Sequence, residues 1–169
     1  MFMQKINRHI RQISFINAFF KLVVVLLCLY FLFWLIFDKL FEGFDITFDE
    51  KGPDYFHRTY WGFVFGAVVL APLLETLIKI AAYHLFRLSK WLRKRECYIV
   101  LIVGVLFGLW HYFSLFHIIM AAIFGVFLMY AYTVRRRKGG YWIVVLLHAL
   151  WNGIVLLLDR FSAEPTFVF

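Results

Sequence analysis

The sequence predicts an all-α, polytopic transmembrane helical bundle of about five spans, and three observations carry that prediction. Of 169 residues, 64% are hydrophobic and only 17% charged, with a mean hydropathy of +0.81, far from the composition of a soluble globular domain. The apolar residues fall in runs of about 20, the length that crosses a hydrocarbon core about 30 Å thick at about 1.5 Å per residue. The 18 Lys and Arg residues gather between those runs. In a soluble chain a net charge of +8 would point to nucleic acid. Here the basic residues flank apolar runs and read as topology signals, so the expected partner is the lipid bilayer and not nucleic acid.

Residues 1–14 form a basic N-terminus carrying Lys5, Arg8 and Arg11. The apolar run 15–37 that follows is too long for the core of a signal peptide. It is interrupted by Lys21 and ends in Asp38 and Lys39 without small cleavage-site residues. It is therefore expected to be a retained first span, with Lys21 reaching back to the basic side. Residues 38–59 form an acidic loop holding Asp38, Glu42, Asp45, Asp49, Glu50 and Asp54. Their spacing matches no calcium-binding loop, and a solvated external loop is expected. Four more spans are expected at 60–85, 98–115, 116–134 and 141–158, giving a core over 60–158 and a short external tail at 159–169. Cys28 lies inside the first apolar run and Cys97 at the edge of the third; they have no ligand-like spacing and carry no redox inference.

Charge placement tests this assignment separately from hydropathy. Lys5, Arg8 and Arg11 precede the first span. Arg87, Lys90, Arg93, Lys94 and Arg95 separate the second from the third, and Arg135, Arg136, Arg137 and Lys138 separate the fourth from the fifth. The other connections are acidic or uncharged. Alternation then places the N-terminus and both basic loops in the cytoplasm, and the acidic loop and C-terminus outside. The expected location is a bacterial cytoplasmic membrane.

Four polar groups interrupt the apolar runs: Glu75 in APLLETLIK, His111 in FGLWHYF, and His148 with Asn152 in LLHALWNG. An ionisable group at such depth costs a few kcal/mol unless a partner within the bundle compensates it. Counted from the cytoplasmic ends, Glu75 is about 15 Å deep, His111 about 20 Å, His148 about 11 Å and Asn152 about 17 Å. His148 and Asn152, four residues apart, share one face of their helix. A bland reading is a polar clasp between helices. A chemical reading is hydrolysis of an amide, in which a carboxylate or imidazole takes a proton from water and neutral N–H donors hold the oxyanion. Glu75, His111 and His148 would equally make a His2Glu set for a divalent metal such as zinc. Ser114, three residues from His111 but near the outer edge of its span, offers no convincing nucleophile.

The order Pro-x-x-Glu (Pro72, Glu75), Phe-x-x-x-His (Phe107, His111) and His-x-x-x-Asn (His148, Asn152) resembles the CAAX-processing and bacteriocin-processing family of intramembrane proteases. The stretch AIFGVFLMYAYTVRRRKGGYW, with Gly125, also resembles that family's glycine-containing helix and following turn. The resemblance implies that Glu75 and His111 activate the water while His148 and Asn152 bind the oxyanion. The first motif departs from the family's Glu-Glu-x-x-x-Arg: Thr76 stands at the second Glu and Ile80 at the Arg. Lys79 comes one position early, about 100° round the helix. Lys79 could pair with Glu75 one turn before it and weaken it as a base; the favoured expectation is that it extends to the cytoplasmic headgroups.

The expected function is an intramembrane endopeptidase acting on a membrane-associated protein or peptide precursor, lipidated substrates included, by water activated at Glu75 and His111. The alternatives are a catalytically silent scaffold or immunity protein of the same family, favoured by the altered first motif, and a small transporter or proton relay, which would use the same buried groups. Trp110 and Trp151, next to motif residues, are expected as packing or substrate-cavity walls.

Overall fold

The computed structural model describes residues 2–40, 60–112 and 114–161. Most of the expected acidic loop and of the expected tail lies outside these residues. The described chain is helical apart from short connections. Its elements are α1 (Phe2–Gln12), α2 (Phe15–Leu40), α3 (Tyr60–Phe65), a π-helical turn (Gly66–Leu70), α4 (Ala71–Phe86), α5 (Lys90–Lys94), α6 (Glu96–Trp110), α7 (Leu115–Arg135) and α8 (Gly140–Phe161). Four stretches among the described residues are long and apolar enough to cross a membrane: Phe15–Leu32, Trp61–Phe86, Leu115–Arg135 and Gly140–Leu158. With α6 as a shorter apolar helix, this is the predicted all-α polytopic bundle. Apolar side chains face outward along α2, α4 and α6, as at Val24, Leu77 and Leu106, because lipid and not water is their solvent.

Two differences from the sequence reading shape the site and the basic end of the bundle. The run expected to continue to residue 115 stops at Trp110, so α6 has 15 residues and rises only about 22 Å. The cause is local. His111, the C-terminal cap with φ −96° and ψ 57°, donates from Nδ1 to the Phe107 carbonyl at 2.8 Å, so its side chain takes over an acceptor that continued helix would need. Ser114 then starts α7, its Oγ accepting from the His117 backbone N–H at 3.2 Å, the usual way to satisfy a first-turn donor.

The second difference lies at the basic end of the bundle. Arg135, read as part of a solvated basic loop, is the last residue of α7 and only 3% exposed. Its guanidinium donates to the Ile10 and Ile13 carbonyls, each at 3.0 Å, which caps the C-terminus of α1. That short helix turns Ile6, Ile10 and Ile13 to the core and leaves Arg8 and Arg11 exposed. The Tyr130 hydroxyl adds a bond to Asn7 Oδ1 at 2.6 Å. Nearby, Glu96 accepts from Arg136 at 3.0 Å and from the buried Tyr83 hydroxyl, with Arg87 at 3.9 Å. These contacts bring the N-terminal helix and both basic connections to one end of the bundle.

α6 and α7 form the most extensive helix pair, and glycine sets how close they come. A Cβ at Gly104 would meet the Val126 backbone nitrogen at 2.5 Å, and one at Gly108 would meet the Ile118 carbonyl at 2.5 Å. A Cβ added at Gly125 of α7 would in turn meet the Gly104 carbonyl oxygen at 3.0 Å and its Cα at 3.1 Å. The Gly104-x-x-x-Gly108 spacing is a membrane packing motif in which backbones touch because no side chain intervenes. The contact holds Phe107, between the two glycines, against the bundle interior. Gly104→Ala is therefore expected to lower the unfolding free energy in bicelles by about 1–3 kcal/mol. Gly153→Ala, where an added Cβ meets nothing within 4 Å, is expected to stay within about 0.5 kcal/mol of the parent. Equal effects of the two would contradict this packing.

Candidate active site

The polar site begins with a proline. Pro72 has no N–H, and its ring cannot sit over a regular preceding turn. The chain answers with the π-helical turn Gly66–Leu70, in which the Ala71 N–H reaches back to the Gly66 carbonyl. The next donor in that register would be Pro72, so the Ala67 carbonyl receives none from it. Asn152 supplies the missing donor: its Nδ2 lies 2.8 Å from Ala67 O. In the apolar interior an unsatisfied carbonyl would be costly, so this bond ties α8 to the π turn. The Tyr141 hydroxyl, donating to Leu73 O at 3.3 Å, makes a second tie.

With α8 held in this way, His148, one turn before Asn152, faces α4. Its Nε2 is 3.6 Å from Glu75 Oε2, just beyond hydrogen-bond distance, and the imidazole is only 3% exposed. Glu75 Oε2 is buried and makes no hydrogen bond among the described residues. On the other edge of the ring, Lys79 Nζ lies 3.5 Å from His148 Nδ1 and 3.6 Å from the centre of the Phe107 ring, a cation–π contact. Lys79 is 4% exposed. The expectation that it extends to the headgroups is thus corrected: Phe107 and His148 offer it an inward partner that the sequence of α4 alone does not reveal. It remains close enough to Glu75 to interact with it electrostatically.

His111 joins through Phe107. The Phe107 ring centre lies 4.5 Å from that of His111 and 5.7 Å from that of His148. Because a carbonyl can only accept, the bond to Phe107 O puts the His111 proton on Nδ1 and leaves the Nε2 lone pair available. The arrangement brings Glu75, Lys79, His111 and His148 around one phenylalanine. It sets Asn152 one turn away with an N–H already engaged by Ala67. Thr76 is fully buried, its hydroxyl unpartnered among the described residues, and Ile80 packs on the core. The inward basic group is therefore Lys79 and not the residue at position 80.

Among the described residues, no three His, Cys, Asp or Glu side chains are placed to hold a metal ion. As placed, Glu75, His111 and His148 do not form a metal-binding set. Beside the site, α2, α7 and α8 form a small apolar groove lined by Leu26, Tyr30, Phe124 and Trp151 among others. Phe124 belongs to both, its ring 5.4 Å from that of His148 and stacked on Trp151 at 5.1 Å. Trp110, by contrast, is 71% exposed and faces outward.

Sequence reasoning singles out Lys79 but sends it to the headgroups, and it does not pick out the glycine spacing on α6 or the Pro72–Asn152 relation. The signal for the last was present, since a helix-interior proline with a polar side chain on another span is a known form of compensation. The coupling can be measured. Asn152→Leu is expected to lower stability by about 1–2 kcal/mol and by clearly less in a Pro72→Ala background, where residue 72 regains an N–H. The same loss in both backgrounds would contradict the assigned role.

No curated protein and no solved structure matches the chain. A family model does: that of the type II CAAX prenyl endopeptidase Rce1-like proteins, over residues 57–154. The match runs from just before α3 into α8 and includes Glu75, Lys79, His111, His148 and Asn152, while α1 and α2 lie outside it. A match over more than half of the chain, on the same helices that build the polar site, shows that this membrane protein belongs to the type II CAAX prenyl endopeptidase Rce1-like family.

Proposed function

We propose that the chain is an intramembrane endopeptidase that hydrolyses a peptide bond of a membrane-associated protein or peptide, using water activated by Glu75 and His111. The observation that carries this reading is the buried approach of Glu75 Oε2 to His148 Nε2 at 3.6 Å. It leaves a carboxylate oxygen without a hydrogen-bond partner among the described residues, next to an imidazole inside an apolar bundle. A carboxylate so placed is a proton acceptor, and removal from bulk water strengthens every charge interaction around it.

In this reading a water proton passes to Glu75, with the free Nε2 of His111 as second acceptor, while the water oxygen bonds to the substrate carbonyl carbon. The carbonyl π electrons move onto oxygen, and the resulting oxyanion is held by N–H donors from His148 and Asn152. Collapse of this intermediate breaks the C–N bond, and the proton taken from water returns to the departing amine. The apolar groove along Leu26, Tyr30 and Trp151 would meet an apolar part of a substrate beside the site. The N-terminus and the basic connections would face the cytoplasm.

A second reading, a catalytically silent relative that binds a partner, is favoured by Thr76 in place of the second acidic residue and by the basic Lys79 close to Glu75. Purified protein in nanodiscs, incubated with prenylated CAAX peptides and a general peptide library, separates the two. Glu75→Gln and His148→Ala are each expected to reduce cleavage at least about a hundredfold while the protein stays folded, and a chelator is expected to leave the parent rate unchanged. Cleavage indifferent to both substitutions would contradict the site. No cleavage by the parent would favour the silent relative, and loss with chelator would favour a metal mechanism.

A further inference from the structure

We propose that Lys79 is a positioning residue that fixes His148 as its Nε2–H tautomer, so that the ring presents a proton toward Glu75 and the reacting carbonyl. The inference deepens the hydrolytic reading above and rests on it for its consequence in catalysis, though not for the tautomer itself. A neutral imidazole carries one proton, and its position is set by what each nitrogen faces. His148 Nδ1 faces Lys79 Nζ at 3.5 Å, and a lysine ammonium has donors and no acceptor. His148 Nε2 faces Glu75 Oε2 at 3.6 Å, and an ionised carboxylate has acceptors and no donor. Both neighbours demand the same tautomer: a lone pair on Nδ1 and a proton on Nε2. Phe107 and Phe124 pack edge-on about the ring and help hold it in that orientation.

His111 is fixed in the opposite sense. Its Nδ1 donates to Phe107 O at 2.8 Å, which leaves Nε2 with the lone pair. One histidine is thereby made an acceptor and the other a donor by two different neighbours: a backbone carbonyl in one case and Lys79 in the other. Lys79 is itself held by the Phe107 ring at 3.6 Å, so the same phenylalanine supports both assignments. The family's arginine would stand at position 80, which is Ile80 in this chain. Here the cation that reaches the bundle interior comes from one position earlier.

The test is ¹⁵N spectroscopy of the full chain labelled at histidine and reconstituted in bicelles near neutral pH. The His148 signals are identified by their loss in His148→Gln. The parent is expected to show Nδ1 unprotonated and Nε2 protonated. Lys79→Met, which keeps length but removes the donor, is expected to shift the population toward Nδ1–H and to lower kcat about a hundredfold with little change in KM. Lys79→Arg, which retains N–H donors, is expected to restore the parent spectrum and most of the rate. A parent His148 protonated on Nδ1 or on both nitrogens overturns the proposal, and so does a Lys79→Met spectrum identical to the parent. Should Lys79→Met not fold, Lys79→Leu is compared with the parent in the same way. If the tautomer is as stated but the parent cleaves no peptide, the hydrolase reading fails and the positioning role stands. If cleavage depends on Glu75 but the tautomer is wrong, only the positioning role fails.

Discussion

Compensation of one half-buried carboxylate within an apolar bundle is the constraint on which the rest of this structure depends. Glu75 lies on a helix that runs through lipid, where an unpaired charge is costly, and α4 answers with Lys79 one turn later. That spacing puts the two side chains on neighbouring positions of one face. The imidazole of His148 stands against both, 3.6 Å from Glu75 Oε2 and 3.5 Å from Lys79 Nζ. Acid, base and cation thus share a small interior, and removing any one leaves the others poorly matched. Groups that make a membrane interior tolerable for charge are the same groups that equip it for proton transfer.

Backbone irregularities bring these side chains together. Pro72 forces the π turn, the π turn presents the Ala67 carbonyl, and Asn152 of α8 binds it, fixing the rotation of α8 that turns His148 toward α4. On the other side, backbone contact between α6 and α7 at Gly104, Gly108 and Gly125 seats Phe107 where it meets Lys79, His111 and His148. The early end of α6 at Trp110 then leaves His111 at a helix terminus, its ring oriented by the Phe107 carbonyl. Asn152 consequently has a structural duty as well as the proposed catalytic one. These are compatible because a carboxamide has two N–H donors and only one is required by Ala67.

Much of this was legible in the sequence, for identifiable reasons. Glu75, His111, His148 and Asn152 stood out because polar groups are rare within apolar runs, and helical periodicity was enough to place the last two on one face. Charge asymmetry was enough to group the basic connections at one end. What one-dimensional reading missed were effects that require two helices at once. Lys79 looked free to extend to the headgroups because Phe107 and His148, its partners, lie on other spans. Arg135 looked like one of four solvated loop charges because its acceptors, the carbonyls of Ile10 and Ile13, are distant in the chain. The end of α6 was misread because hydropathy continues through Tyr112 and Phe113, whereas the helix is stopped by a hydrogen bond from the His111 side chain.

Mutual compensation of Glu75 and Lys79 is most directly tested by a double-mutant cycle on unfolding free energy in bicelles, with Glu75→Gln, Lys79→Met and the double variant. Each single substitution is predicted to destabilise the protein, and the double variant to recover most of that loss, with a coupling of more than about 1 kcal/mol. Strictly additive losses would mean that the two charges ignore one another, and would contradict the account of how this membrane interior carries a carboxylate.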